Sequence, residues 1–233
     1  ELVQEIGSPG FFQAPGISAD GRYLAYAREN EAGGSSVVVA NADGEIIMQE
    51  QHAGMTAMSW HPAANQLAFI SATRNNGRFF GPLRLIDVDK GEVDLLTNET
   101  VLAFFWSPDG RYLAIIHVGI LNGNEEIAQK ENRAHLSKPV AQRFQLPELT
   151  LAILDVDSRT TVQSLTFQPT ERFFTQFLPF FDQYALSHRL WSPQSDAVAL
   201  PMRVDDNPQV VVISVADGRQ QTIGEGDMPF WSP

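Results

Sequence analysis

Two stretches carry side chains whose types and spacing could do chemistry. Glu125 and Glu126 stand side by side, and two carboxylates can share one ammonium such as a peptide amino terminus. Further on, Phe177, Phe180, Phe181, Asp182, Tyr184, His188 and Arg189 fall within one run, Phe173 to Arg189, that holds five phenylalanines. Aromatic walls with a few polar anchors make a ligand pocket or a partner surface. Asp182 and His188 could orient one another, but no nucleophile stands beside them, so they form no catalytic dyad. Serine-hydrolase chemistry needs a serine on a strained Gly-x-Ser-x-Gly elbow, and no such pentapeptide occurs.

Metal chemistry finds less support. His52, His61, His117, His135 and His188 are dispersed, without a His-Glu-x-x-His. Asp87-x-Asp89 and Asp205-Asp206-Asn207 hint at calcium, yet neither follows the Asp-x-Asp-x-Asp-Gly loop, and both read as turn carboxylates. Zero cysteines exclude disulfides and thiol chemistry. No cofactor, metal or catalytic residue is therefore expected. The net charge of −12 opposes nucleic acid and anionic lipid, and no apolar run reaches the roughly 18 residues of a membrane helix.

The elements that must position these residues repeat. An apolar run, Val101 to Trp106, meets the turn Ser107-Pro108-Asp109-Gly110, and a second apolar run leaves it through Arg111-Tyr112-Leu113-Ala114. Proline pre-sets φ, aspartate accepts from amides ahead of it, and glycine accepts positive φ, so the stretch reads as a hairpin. Versions of it start at Ile17, Trp60, Trp191 and Trp231, giving spacings of 43, 46, 85 and 40 residues. Because Ser107, Ser192 and Ser232 recur with the turn, they serve it. A period near 40–45 with four strands per unit predicts an all-β propeller of four-stranded antiparallel blades.

Four units are represented, with strands expected at 23–28, 36–40 and 45–49, at 66–72, 83–88 and 93–96, at 112–118, 150–156 and 161–166, and at 197–204, 209–215 and 220–223. The third unit is enlarged by an insertion, 119–149, in which Asn124–Leu136 could form a short helix. A second enlargement, 167–189, is the aromatic run. It reads either as a recognition surface or as cover for the enlarged blade. Leu2–Ile6 resembles a fourth strand and Met228–Pro233 a first strand. Residues 1–233 are thus expected to form one propeller domain that belongs to a larger ring, since unpaired edges are a hazard that closure removes.

The repeated Trp-Ser-Pro-Asp-Gly-Arg-Tyr-Leu-Ala, followed by Leu-x-Leu-x-Asp-Val-Asp-x-Gly, resembles the TolB-type, WD40-like β-propeller repeat. The second and fourth units lack the Asp-Gly pair, carrying His-Pro-Ala-Ala-Asn and Ser-Pro-Gln-Ser-Asp. The resemblance implies a non-catalytic binding or scaffold module for a protein or peptide partner, with a lean toward an extracytoplasmic address. It equally implies the substrate-gating propeller of a prolyl-oligopeptidase-like serine peptidase. In one branch of those peptidases a glutamate pair holds the substrate's amino terminus. The surroundings of Glu125-Glu126 do not match that branch, and a solvated helix face is the plainer reading.

Overall fold

The structure is a computed structural model and describes residues 15–29, 35–53, 55–71, 80–118, 146–185 and 188–232. The strand expected at Leu2–Ile6, the helix expected at Asn124–Leu136 and the Glu125-Glu126 pair lie outside the described residues.

The first unit is a four-stranded antiparallel sheet in sequential order, β1 (Gly16–Ile17), β2 (Tyr23–Glu29), β3 (Ser35–Asn41) and β4 (Ile46–His52). The middle strand β3 is buried from Ser35 to Ala40, which accounts for its unbroken Val37-Val38-Val39 core. The second and third units share one seven-stranded sheet: β5 (Met58–Trp60), β6 (Gln66–Ile70), β7 (Gly81–Asp87), β8 (Glu92–Trp106), β9 (Tyr112–Val118), β10 (Leu149–Asp155) and β11 (Thr160–Phe167). The fourth unit contributes β12 (Ala197–Val204), β13 (Asn207–Ser214) and β14 (Gln220–Glu225). Its first-strand place is taken by 189–191, where Ala199 N–H donates to the Leu190 carbonyl at 2.8 Å and Trp191 bridges Val198.

The fusion of two units departs from expectation. Separate strands were expected at 93–96 and over the apolar run 101–106, whereas β8 is continuous for 15 residues. Its first part pairs with β7 (Asp87 opposite Glu92) and its last with β9 (Trp106 opposite Leu113). Thr97-Asn98-Glu99-Thr100 contains neither Gly nor Pro, so nothing local forces a break. Bulges between Gly81 and Leu83 and between Val101 and Ala103 supply the bend instead.

The first, third and fourth corners are each closed by a serine. Ser107 Oγ donates to Asp109 Oδ1 (2.6 Å) and accepts from Tyr112 N–H (2.9 Å), as Ser18 does with Asp20 and Tyr23. In the fourth unit Ser192 binds Asp196 and Ala197 instead, and Ser195 takes the positive φ (61°) that glycine holds elsewhere. In the second unit His61 Nδ1 does the serine's work, accepting from Ala63 N–H (3.0 Å) and Ala64 N–H (2.8 Å). A nucleophilic role for Ser107 is incompatible with this, because it is fully buried and both its hydrogen-bonding functions are used.

The corner tryptophans bind unit to unit. Trp60 Nε1–H donates to the Gly16 carbonyl (2.9 Å), Trp106 to Ser59 (3.1 Å), Trp191 to Phe105 (2.9 Å) and Trp231 to Leu190 (3.0 Å). Every acceptor is the residue just before the corner residue of the preceding unit. The repeated Trp therefore fixes the spacing of successive first strands, satisfying its N–H while burying its ring.

Candidate functional site

The aromatic run folds as a helical arm between β11 and the fourth unit. It comprises a π-helical turn (Phe173–Phe177), a 3₁₀ turn (Leu178–Phe180) and one α-helical turn, α1 (Phe181–Tyr184). Phe173, Phe177 and Phe181 recur every fourth residue and so share one face. That face is buried, each ring being 1% exposed. Phe181 meets Phe104 and Phe105 edge-on at 5.3 and 5.6 Å, and Phe177 stacks on Phe105 at 5.9 Å. The arm is thereby clamped onto the inner end of β8.

Its other face is open, with Phe180 41% and Tyr184 37% exposed. The His188 ring stands edge-on to Tyr184 at 5.4 Å and to Phe230 at 5.7 Å. Asp182 is partly buried, and its Oδ1 accepts from the Gln183 N–H at 3.0 Å. Asp182 and His188 thus have different neighbours. Among the residues expected at a site, Phe177 and Phe181 form the arm's inner support, while Phe180, Asp182, Tyr184, His188 and Arg189 remain at or near the surface.

Burial drives the Asp182 carboxyl above its ordinary range. The unfolded chain therefore loses this proton first as pH rises, so the cost of Asp182 to stability grows from about pH 4 upward until the folded carboxyl also ionises, and stays at its full value above that. Asp182→Asn is expected to raise the thermal midpoint at pH 7, with the gain shrinking as pH is lowered toward 4. Thermal unfolding across that range checks it; a loss at pH 7 would mean that the charged form is held by a stabilising partner.

The sequence did not locate a groove that joins three units. A groove of about 330 Å³ runs across the innermost strands of three units. The second unit lends Ser59, Trp60 and Pro62 and the third Phe104 to Pro108. The arm and fourth unit lend Ala185 and Arg189 to Trp191. Of the described residues expected at a binding site, Arg189 alone lines it. The indole N–H groups of Trp60, Trp106 and Trp191 and the Ser107 hydroxyl are committed to the fold. What the walls offer is mainly apolar area, with Ser59 and Arg189 beside it.

The carboxylates that hinted at calcium are engaged in turns. Asp87 accepts from Gln66 Nε2, Lys90 N–H and Lys90 Nζ, Asp89 accepts from Asn65 Nδ2, and Asp206 pairs with Arg203 at 2.9 Å. Among the described residues no three His, Asp or Glu side chains group as a metal site, and no helix is long and apolar enough to cross a membrane.

Comparison with known proteins supports the propeller fold. No family model matches the chain, and no curated protein matches it significantly. Among solved structures, TolB from Acinetobacter baumannii is similar at 16% identity and a TM-score of 0.51, over 97% of this chain and 46% of that one. The β-propeller domain of the trilobed protease from Pyrococcus furiosus aligns at 16% identity and 0.54, over 92% and 57%. The Pyrococcus horikoshii acylaminoacyl peptidase aligns at 14% and 0.52, over 87% and 30%. The chain thus spans about half or less of the length of these structures. At such identities the likeness speaks for the fold alone.

Proposed function

We propose that the chain is a non-catalytic recognition module of the TolB-type repeat family, which seats a peptide segment of a protein partner in the groove across its innermost strands. The observation that carries this reading is that the groove's indoles and the Ser107 hydroxyl are committed to the fold, which leaves a wall that is mainly apolar. With three indoles and Ser107 bound into the fold, the walls present mainly aromatic and proline surface, with Ser59 and Arg189 as the other polar side chains and no carboxylate or imidazole among the described lining residues. Rigid aromatic area held by a scaffold supplies binding at low entropic cost. The open face of the arm, with Phe180, Tyr184 and His188, would extend that contact. Glu125-Glu126 remain a proposed contact of the insertion. An extracytoplasmic address follows only from the TolB-like architecture and is proposed with it.

The test is blockage. Peptides selected by the wild-type chain from a displayed library should be lost, by at least about tenfold in affinity, on Ala185→Trp or Pro62→Trp, which fill the groove from the arm and from the second corner. Circular dichroism and thermal unfolding verify that each variant folds. Unchanged binding in both folded variants would place the contact elsewhere.

A second reading is favoured by the fold shared with the trilobed-protease propeller and the acylaminoacyl peptidase. Here the groove would gate or orient peptide substrates for a serine-peptidase domain. The two readings share the peptide and differ in whether a Gly-x-Ser-x-Gly segment accompanies this chain in the intact protein.

A further inference from the structure

We propose that the groove recognises a carboxylate joined to an apolar peptide segment, and that Arg189 binds it. This rests on the reading of the groove as a peptide site and names the group that anchors the peptide.

The first observation is that, among the described residues, Arg189 is the one charged residue lining the groove. The second is its freedom. Arg22, Arg111, Arg159, Arg172 and Arg203 each face a carboxylate, on Asp20, Asp155, Asp94, Asp227 and Asp206 respectively. Among the described residues no such partner engages the Arg189 guanidinium. Arg28, Arg84 and Arg219 also face no carboxylate within ion-pair distance among the described residues, so what sets Arg189 apart is its place at the wall of an apolar groove.

The third observation is the anchoring of its backbone. The Arg189 carbonyl accepts the Trp231 N–H at 2.9 Å, and the next carbonyl, Leu190, accepts both Ala199 N–H (2.8 Å) and the Trp231 indole (3.0 Å). The stem of Arg189 therefore leaves a hydrogen-bonded backbone, and less ordering is required when it binds.

These features select among ligands. A cationic group would be repelled by Arg189. A wholly apolar segment would strip water from the guanidinium without return. An anion gains a charge-assisted, two-pronged hydrogen bond beside low-dielectric walls. A phosphate is less suited than a carboxylate, because it would meet one arginine where phosphate sites gather several donors. It would also feel the acidic surface roughly twice as strongly. That surface does not defeat a single carboxylate at physiological salt, where charges beyond about 8 Å are screened.

The carboxylate has two sources, a chain's C-terminus or an Asp or Glu side chain beside an apolar residue. A library of N-acetylated hexapeptides in two halves, free acids and C-terminal amides, with Asp and Glu varied in both, separates them. Wild type is expected to select carboxylate-bearing peptides, and Arg189→Gln to bind those peptides about 10- to 100-fold more weakly while keeping its thermal midpoint. Preference for the free-acid half identifies the C-terminus; acidic residues enriched in both halves identify the side chain. Ligands without a carboxylate, or unchanged affinity in Arg189→Gln, overturn the carboxylate anchor and leave the peptide groove standing. If neither half yields a ligand, both the carboxylate anchor and the peptide groove are overturned.

Discussion

Trp191→Ala is expected to cost about 4 kcal/mol or more, and to lower the thermal midpoint by roughly 10 °C or more. Two contributions combine. Trp191 is 2% exposed and stacks on Tyr112 with rings 6.1 Å apart, so truncation opens a large cavity between the third and fourth units. Its Nε1–H also serves the carbonyl of Phe105, a buried residue. Trp191→Phe keeps most of the ring and loses the donor, and should cost about 1–3 kcal/mol. Trp60→Ala is the internal comparison. Trp60 makes the same kind of bond, to Gly16, but is only partly buried, so its loss should cost clearly less. Urea or thermal unfolding of the three variants reads the order directly. Equal costs for Trp191→Ala and Trp60→Ala would mean that burial between units does not set the strength of these contacts.

Loss of Trp191 should also degrade the groove, because its ring is part of the wall. Fold and site are therefore coupled through the same residue. The corner that spaces the strands is the corner that shapes the concavity.

The corners were legible because their chemistry is local. Proline, aspartate, glycine and the serine hydroxyl act within five residues, as in Ser107 with Asp109 and Tyr112, and local chemistry survives in a linear reading. The hairpin turns were legible for the same reason, although Arg159, at φ 58°, fills the left-handed place that Gly44, Gly91 and Gly218 take in the other units. The single strand β8 was not legible. Its continuity depends on the absence of a break and on bulges set by partners in β7 and β9.

The helical arm left a signal that went unused. Phe173, Phe177 and Phe181 stand four residues apart, the spacing of one helical face. Pro179 and the density of phenylalanine obscured it, and tertiary contact with Phe104 and Phe105 supplies the stabilisation that a short, proline-containing helix lacks. The groove could not be read at all from one stretch. It is assembled from Trp60, Trp106 and Trp191, which meet only because each indole reaches back to the preceding unit.

Gly110→Ala is expected to cost about 2–4 kcal/mol, from left-handed strain together with the displacement of a neighbouring ring. Gly110 has φ +78°, and a Cβ there would stand where the His61 imidazole lies. That imidazole cannot simply rotate away. Its Nδ1 holds the Ala63 and Ala64 amides, and its ring meets Trp106 edge-on at 4.8 Å. Gly21 separates the two contributions, since it holds the equivalent place in the first corner at φ +74° with nothing within 4 Å of a Cβ. Gly21→Ala should therefore show the conformational strain alone, about 1–2 kcal/mol. A double-mutant cycle with His61→Ala completes the test, because Gly110→Ala should cost less once the ring is gone. If Gly110→Ala costs no more than Gly21→Ala, and His61→Ala does not relieve it, then the second and third corners are not locked together through His61. The groove wall from Pro62 to Pro108 would then owe its shape to the tryptophans alone.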